Sequence, residues 1–151
     1  QVSVLELAQE AARSLTAQAA AQAVHISVTG TAGTVFGVRR LLYEIARNLC
    51  ENAVKYNVPG GSVTVEVAET DRDVTLLVRD TGIGIPEGDQ SRVFERFYRV
   101  DKSHSRAIGG TGLGLSIVKH AVAYHHGTLR LESQPGRGTA ITVTLPKEPA
   151  E

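Results

Sequence analysis

The chain has 151 residues, of which 42% are hydrophobic and 21% are charged, a composition typical of one globular domain. Sixteen Lys and Arg balance sixteen Asp and Glu, so charge favours neither nucleic acid nor an anionic membrane as a partner. A single cysteine excludes an internal disulfide and a cysteine-based zinc site, and no apolar run reaches the roughly 18 residues of a membrane span. We therefore expect one domain over residues 1–151, with no nucleic-acid partner and no membrane contact of its own. Because the chain begins with Gln1 and contains no Met, we also expect it to be part of a longer protein.

Apolar periodicity predicts three elements in the first part of the chain. Val4 to about Gln22 is Ala-rich with helical spacing, and "VHISVT" alternates as a strand does. A long amphipathic helix is predicted from just after Gly37 to about Asn57, where "NVPGG" ends it. Cys50 lies inside this helical pattern, which indicates a buried core residue.

The second part of the chain predicts two pairs of strands and one more helix. The segments "SVTVEVAE" and "VTLLVRD" indicate adjacent antiparallel strands, and "TLRLES" and "TAITVTLP" indicate a closing hairpin. Between the pairs, "TGLGLSIVKHAVAYHH" predicts a helix that begins among glycines. The whole order predicts an α/β fold, a two-layer sandwich with three main helices on one face of a mixed five-stranded sheet.

A long glycine-rich segment separates the two strand pairs. It covers about residues 87–110, with one short helical stretch around Ser91 to Phe97, and loops of this length are usually lids or disordered segments. It ends in "GGTGLGLS", where glycines at a helix start would let phosphate reach unpaired backbone N–H groups. Two common nucleotide motifs are excluded, because Leu115 stands where a Walker A lysine is required and Glu87 replaces the third glycine of a dinucleotide fingerprint. A phosphate site and a merely flexible helix start both remain open.

A polar stripe runs along the long helix beside its apolar one. Glu44, Asn48, Asn52 and Lys55 recur at helical spacing and therefore share a face. Asn is a poor residue for the middle of a helix, while its amide oxygen can ligate Mg²⁺ and a lysine ammonium can balance phosphate charge. The stripe is compatible with a solvated surface or with a site for a metal–phosphate group.

Five segments, in order, resemble the N, G1, F, G2 and final glycine-containing boxes of the ATP-binding catalytic domain of sensor histidine kinases: "NLCENAVKY", "DTGIGIP", "VFERFYRVD", "GGTGLGLSIV" and "PGRGTAITVTLP". The boxes extend from Asn48 to Gly138, and the flanking elements fit the same domain from about Val4 to Pro146. The similarity is greatest to membrane sensor kinases that resemble the phosphate-sensing kinase. It implies the ATP-binding Bergerat fold, in which residues 87–110 are the ATP lid.

The resemblance implies ATP and Mg²⁺ as cofactors and assigns residues to the phosphate end. Asn52 would coordinate Mg²⁺ with Asn48 assisting, and Lys55 would contact phosphate. Arg99 in the lid would reach the terminal phosphate, so Asn48, Lys55 and Arg99 are the predicted catalytic residues. The backbone predicted to surround the phosphates is that of Gly110, Thr111, Gly112, Leu113 and Gly114.

At the other end of the nucleotide, the resemblance implies that Asp80 accepts a hydrogen bond from the adenine amino group. Tyr56 would lie against the base or the sugar. The other residues predicted for the pocket floor and the adenine end are Gly82, Gly84, Ile85 and Thr139. Phe94 and Phe97 would anchor the lid, although ordinary core packing also explains two phenylalanines.

Two positions depart from the family pattern. Related proteins commonly carry Asp just before the long helix, where this chain has Val38, so an N-cap is expected to be lost. His126 replaces a frequent glycine in the turn after the last helix. We expect His125 and His126 to cap the end of that helix rather than to take part in chemistry.

The resemblance also indicates which reaction the pocket serves. ATP-hydrolysing relatives such as gyrase and the Hsp90 chaperones have a glutamate base where this chain has Asn48, which cannot take a proton at neutral pH. The pocket therefore resembles one that holds ATP for transfer to a nucleophile brought by another domain. In the family this nucleophile is a histidine followed by Glu or Asp. The five histidines here are followed by Ile26, Ser105, Ala121, His126 and Gly127, so we expect no autophosphorylation by this chain alone.

The implied partners are the dimerisation and phosphoacceptor domain of the same parent kinase and a response regulator. We expect this chain to be monomeric, the parent to be homodimeric, and the domain to lie on the cytoplasmic side of a bacterial cell membrane. Two alternatives stay open: a serine kinase of the anti-sigma type, and a degenerate nucleotide-fold module kept for protein contact. The long lid with "FERFYRVD" favours the histidine kinase over the serine kinase.

Overall fold

The computed structural model describes residues 1–90, 92–94 and 114–148. Its strands are β1 (Val2–Ser3), β2 (His25–Gly30), β3 (Thr34–Val35), β4 (Ser62–Glu69), β5 (Asp73–Asp80), β6 (Thr128–Gln134) and β7 (Gly138–Pro146). Its helices are α1 (Val4–Ser14), α2 (Thr16–Ala21), α3 (Arg39–Lys55) and α4 (Gly114–Tyr124), with a 3₁₀ turn at Glu87–Asp89.

The predicted mixed sheet of five strands is confirmed, with the order β2-β4-β5-β7-β6. β2 pairs with β4 in parallel, and the other neighbouring strands pair antiparallel. In β4, Val63, Val65 and Val67 are buried on one face, whereas Glu66 between them is exposed. Because successive side chains of a strand point to opposite faces, this alternation leaves one face of the sheet to be covered by helices.

Helices α1, α3 and α4 cover that face, as the two-layer prediction requires. α3 contacts both α1 and α4 and packs on β4 and β5. Its apolar stripe is buried, and each large aliphatic side chain buried in this way contributes about 1.5–3 kcal/mol to stability. Cys50 is fully buried as predicted, which raises the pKa of its thiol to about 12. Among the described residues, no helix is both long and apolar enough to cross a membrane.

The predicted single helix over residues 4–22 is wrong, because the stretch forms two helices that meet at Leu15. The backbone of Leu15 is not helical, with φ −105° and ψ 6°. The hydroxyls of Ser14 and Thr16 each donate to the carbonyl oxygen three residues earlier, at 2.7 and 2.9 Å. Such local hydrogen bonds compete with the helical ladder and explain a break that apolar spacing does not reveal.

Other boundaries differ slightly from the prediction. α3 ends at Lys55 and α4 ends at Tyr124, whereas the patterns extend to Asn57 and His126. Residues 92–94 form a turn, and the rest of the predicted helical stretch from Ser91 to Phe97 lies outside the described residues. A small sheet of β1 and β3 is an addition, since strands of two residues are too short to show alternation.

The backbone just before α3 is held by a histidine from the turn after α4. The side chain of Val38 makes no cap hydrogen bond, which confirms the predicted loss. The Val38 N–H instead donates to Nε2 of His125 at 3.0 Å, and Nδ1 of His125 lies 2.8 Å from the carbonyl oxygen of Ala121. The ring therefore carries its proton on Nδ1 and connects the end of α4 to the start of α3. His126 has φ 60°, the left-handed conformation that glycine adopts most easily.

We predict that His125→Ala lowers the free energy of unfolding by about 1 kcal/mol, because the Val38 N–H loses its acceptor. Urea unfolding followed by circular dichroism measures the change. His120→Ala is the matched control, because His120 is exposed on the same helix and its replacement should change stability by less than about 0.5 kcal/mol. Equal stability of the two variants would contradict the bridging role.

Candidate functional site

The candidate site begins at Asp80, the last residue of β5. One carboxylate oxygen, Oδ1, accepts hydrogen bonds from the backbone N–H of Gly82 at 2.9 Å and of Thr139 at 3.2 Å. The described residues donate no hydrogen bond to Oδ2. The carboxylate is half-buried, so one oxygen is held by the protein while the other is left for a ligand with a hydrogen to donate.

Burial raises the pKa of Asp80 to about 6, although the hydrogen bonds from Gly82 and Thr139 act to lower it. Because the folded state then binds a proton more readily than the unfolded chain, the ionised carboxylate destabilises the free protein above pH 6. Stability should rise as the pH falls through 6 towards the ordinary value of 3.8. A half-buried carboxylate whose pKa is raised in this way is a candidate binding group.

The loop after Asp80 needs two of its glycines for close backbone packing. A Cβ on Gly82 would overlap the carbonyl oxygen of Tyr56 at the end of α3. Gly84 has φ +75°, and a Cβ there would overlap the carbonyl oxygen of Gln134 at the end of β6. The loop is therefore packed between the end of α3 and the β6–β7 hairpin, which accounts for the glycines in "DTGIGIP".

Ser133 on β6 joins this loop to β7, and the sequence patterns do not single it out. Its Oγ accepts from the N–H of Ile85 at 2.8 Å and lies 2.8 Å from Oγ1 of Thr139. The side-chain amide of Gln90 donates to the carbonyl oxygens of Ile85 and Ser133, at 2.9 and 3.0 Å. The predicted residues Ile85 and Thr139 are thus brought together with Asp80.

The end of α3 is fixed to the same loop. The N–H of Ile83 donates to the carbonyl oxygen of Tyr56 at 3.0 Å. Asn57, also missed by sequence reasoning, donates from Nδ2 to the carbonyl oxygen of Ser62, and its Oδ1 accepts from the hydroxyl of Thr81 at 3.3 Å. The backbone of Tyr56 therefore lies next to the Asp80 loop.

The polar stripe of α3 meets the start of α4. A Cβ built on Gly114 would lie 3.2 Å from Oδ1 of Asn48 and 3.6 Å from Nδ2 of Asn52. The amide of Asn48 is oriented by Glu44, because its Nδ2 donates to the carbonyl oxygen and to Oε2 of that residue, at 2.8 and 3.0 Å. Within the described part of the chain, the Asn52 amide has no hydrogen-bond partner. Two amide side chains and a helix N-terminus therefore converge.

Lys55 already has a carboxylate partner, which the sequence analysis does not foresee. Its Nζ lies 3.0 Å from Oε1 of Glu51, and Arg47 lies 2.7 Å from the other oxygen of the same carboxylate. Burial acts to raise the pKa of Glu51, but the hydrogen bonds and charges of Lys55 and Arg47 outweigh it and lower the pKa. An anion that binds Lys55 must therefore compete with Glu51.

Part of the predicted site lies outside the described residues, namely Phe97, Arg99, Gly110, Thr111, Gly112 and Leu113. Phe94 is described and packs against the core. Together with Val122 and Leu129 it lines an open groove of about 340 Å³ beside α4. This position is compatible both with core packing and with anchoring of the segment that follows it.

Comparisons with known proteins identify the family of the chain. The family model described as "Histidine kinase-, DNA gyrase B-, and HSP90-like ATPase" matches residues 37–149. The sensor-like histidine kinase SenX3 of Mycolicibacterium smegmatis is 47% identical over 133 residues, which cover 86% of this chain and 35% of that protein. The sensor histidine kinase WalK of Bacillus subtilis is 48% identical over 105 residues, which cover 68% of this chain and 17% of that protein. The chain therefore spans only a part of these relatives.

Solved structures show the same similarity at the level of the fold. The mycobacterial sensor histidine kinase MprB superposes with a TM-score of 0.85 and 34% identity, covering 99% of each chain. Full-length ShkA, solved in complex with AMPPNP, superposes with a TM-score of 0.83 and 26% identity, covering 99% of this chain and 31% of that one. The sequence and the fold together show that the chain belongs to the histidine kinase-, DNA gyrase B- and HSP90-like ATPases, as the ATP-binding part of a sensor histidine kinase.

Proposed function

We propose that this chain binds Mg²⁺-ATP and donates the γ-phosphoryl group to a histidine on a separate dimerisation domain of a two-component sensor kinase. A response regulator then receives the phosphoryl group. The observation that carries the proposal is that two polar groups of different chemistry lie at different points along α3. One is the carboxylate of Asp80, of which only one oxygen accepts hydrogen bonds from the described residues. The other is the pair of amides of Asn48 and Asn52 beside Gly114.

The spacing of the two clusters suits an extended nucleotide. The Asp80 loop contacts α3 at Tyr56, and the start of α4 contacts it at Asn48. At a rise of about 1.5 Å per residue, these contacts are about 12 Å apart along the helix. ATP could therefore lie along α3 with adenine at Asp80 and phosphates at the N-terminus of α4.

At the adenine end, Oδ2 of Asp80 would accept from the exocyclic amino group. Hydrogen bonds to an ionised acceptor are stronger than neutral ones, so the carboxylate is the main determinant of base binding in this proposal. The backbone of Gly82, Gly84 and Ile85 would form the pocket floor, because this loop is held against the ends of α3 and β6. Thr139 would lie beside the base, since its N–H shares Oδ1 of Asp80.

At the phosphate end, the residues present fit Mg²⁺. Asn52 offers an amide oxygen without a partner among the described residues, and the bonds to Glu44 leave Oδ1 of Asn48 turned to the Gly114 side. Oxygen ligands of this kind suit Mg²⁺, which usually takes few protein ligands and completes its shell with phosphate and water. Bound there, the ion would neutralise phosphate charge, with Asn52 as its proposed ligand and Asn48 assisting.

Positive groups of the chain would supply the rest of the phosphate contacts. Lys55 would exchange the carboxylate of Glu51 for a phosphate oxygen. The ion pair with Glu51 would keep the ammonium group engaged until an anion competes for it. A helix N-terminus such as the start of α4 favours an anion by charge and by hydrogen bonding. Arg99 and the backbone of residues 110–113 remain proposed contacts.

Transfer rather than hydrolysis is proposed because Asn48 occupies the position of the water-activating glutamate in the hydrolases that the chain resembles. An amide that is hydrogen-bonded to Glu44 cannot take a proton from water. Phosphoryl transfer needs mainly positioning and charge neutralisation, which the residues above supply. The nucleophile would come from the acceptor domain of the parent kinase.

The relatives are longer than this chain, which supports a proposal about the organisation of the whole protein. We propose that residues 1–151 are a single catalytic domain with an ATP lid at about 87–110. The proposed parent is a homodimeric bacterial membrane sensor kinase with this domain on the cytoplasmic side. The isolated domain is proposed to be monomeric.

Binding is tested by calorimetric titration of the chain with ATP and Mg²⁺. Asp80→Asn should weaken binding at least tenfold, because a charged hydrogen bond to the base is lost. Asp71→Asn is the matched control, since it removes the same charge at an exposed turn and should leave the affinity unchanged. Undetectable binding to the unsubstituted chain at millimolar nucleotide would overturn the proposal.

Transfer is tested by mixing the chain with the histidine-bearing hairpin of its parent protein and ATP labelled at the γ-phosphate. Acid-labile label should appear on the hairpin, and Asn52→Ala should reduce its rate at least tenfold by weakening the Mg²⁺–phosphate site. Acid-stable label on a serine would show the anti-sigma type of kinase instead. Binding of ATP without any transfer of label would favour the alternative of a degenerate nucleotide-fold module kept for protein contact.

A further inference from the structure

Ser133 lies where three segments of the adenine end meet, although it is not among the residues expected to touch the nucleotide. Its hydroxyl accepts from the N–H of Ile85 at 2.8 Å. It also lies 3.0 Å from the carbonyl oxygen of Gly138 and 2.8 Å from Oγ1 of Thr139. The side chain is half-buried, so these contacts decide where its single proton points.

Only one arrangement of the hydroxyl protons satisfies all three contacts. A carbonyl oxygen can only accept, so the contact with Gly138 requires the proton of Ser133. Ser133 then has no proton to give to Thr139, and the contact of 2.8 Å between their hydroxyl oxygens requires the proton of Thr139. The chain of donation therefore runs from Thr139 to Ser133 to Gly138.

This direction gives the adenine end a defined polarity. The hydroxyl of Thr139 uses its only proton on Ser133, so towards a ligand it can only accept. The backbone N–H of the same residue is engaged by Oδ1 of Asp80, and Oδ2 is also an acceptor. The hydroxyl of Thr139 and Oδ2 of Asp80 are thus two acceptors. The 6-amino group of a purine base can donate to such acceptors, whereas the 6-oxo group of a purine base is itself an acceptor and would not be matched.

We propose that Ser133 is a positioning residue that sets nucleobase selectivity by holding the Thr139 hydroxyl as an acceptor. This inference rests on the proposed function, in which Asp80 and Thr139 border the base. The chemical class that the pocket selects is a 6-aminopurine nucleotide over a 6-oxopurine nucleotide.

The test compares the affinities of ATP and inosine triphosphate, which differ at the 6-position and in the protonation of N1, by calorimetry. The unsubstituted chain should prefer ATP. Ser133→Ala frees the Thr139 hydroxyl to rotate and donate to the 6-oxo group, so the preference should fall at least about fivefold. Ser133→Thr keeps a hydroxyl at the same position and should retain the preference.

A purely structural role of Ser133 predicts a different result. Loss of the bond to the Ile85 N–H would loosen the loop and weaken both nucleotides alike, leaving their ratio unchanged. In a Thr139→Val background no hydroxyl is left to reorient, so adding Ser133→Ala should not change the ratio further.

The outcomes separate the two proposals. Binding of neither nucleotide by the unsubstituted chain would overturn the proposed function itself. Two other results would overturn only the role of Ser133. In one, the chain binds ATP but Ser133→Ala leaves the ratio of the affinities for ATP and inosine triphosphate unchanged. In the other, Ser133→Ala lowers this ratio equally in the Thr139→Val background.

Discussion

The carboxylate of Asp80 joins three segments that are distant in sequence, and the arrangement of the site depends on it. Its Oδ1 accepts the backbone N–H of Gly82 in the following loop and of Thr139 at the start of β7. These bonds hold the loop against the sheet and leave Oδ2 exposed to a ligand. Burial raises the pKa of this carboxyl group to about 6, because the ionised form loses contact with water. A ligand that donates a hydrogen bond to the carboxylate would stabilise the ionised form and offset this loss.

α3 connects this carboxylate to the proposed phosphate end. Its apolar stripe fixes the helix on the sheet, and that placement brings the polar stripe of the same helix to the start of α4. His125 fixes the other end by accepting from the Val38 N–H. The same packing that stabilises the fold therefore positions Asn48 and Asn52, and no loop has to carry these two side chains. Glu51 balances the charge of Lys55, so an anion that binds Lys55 would have to replace this carboxylate.

Much of the fold could be predicted because apolar periodicity reports burial directly, as the alternation of β4 and the stripe of α3 show. The break at Leu15 could not, because local hydroxyl bonds of Ser14 and Thr16 cause it without disturbing the apolar spacing. In the site, the motifs predicted residues whose type is demanded by chemistry or by close packing, such as Asp80 and Gly84. Ser133 was missed because its role arises from contacts between segments. Glu51 was missed because nothing in its immediate sequence distinguishes it from a surface residue. For His125 the sequence indicates a helix cap but not the bond to the Val38 N–H, which joins two segments distant in sequence.

The central claim is that Asp80 binds adenine as a carboxylate, and its own titration tests this most directly. A ¹³C NMR titration of the carboxyl carbon, assigned with Asp80→Asn, should give a pKa of about 6 in the free chain. Saturating Mg²⁺-ATP should lower that pKa, because the amino group stabilises the ionised form, and affinity for ATP should correspondingly fall as the pH drops through 6. A pKa near the ordinary 3.8 in the free chain, or one that ATP leaves unchanged, would contradict the account.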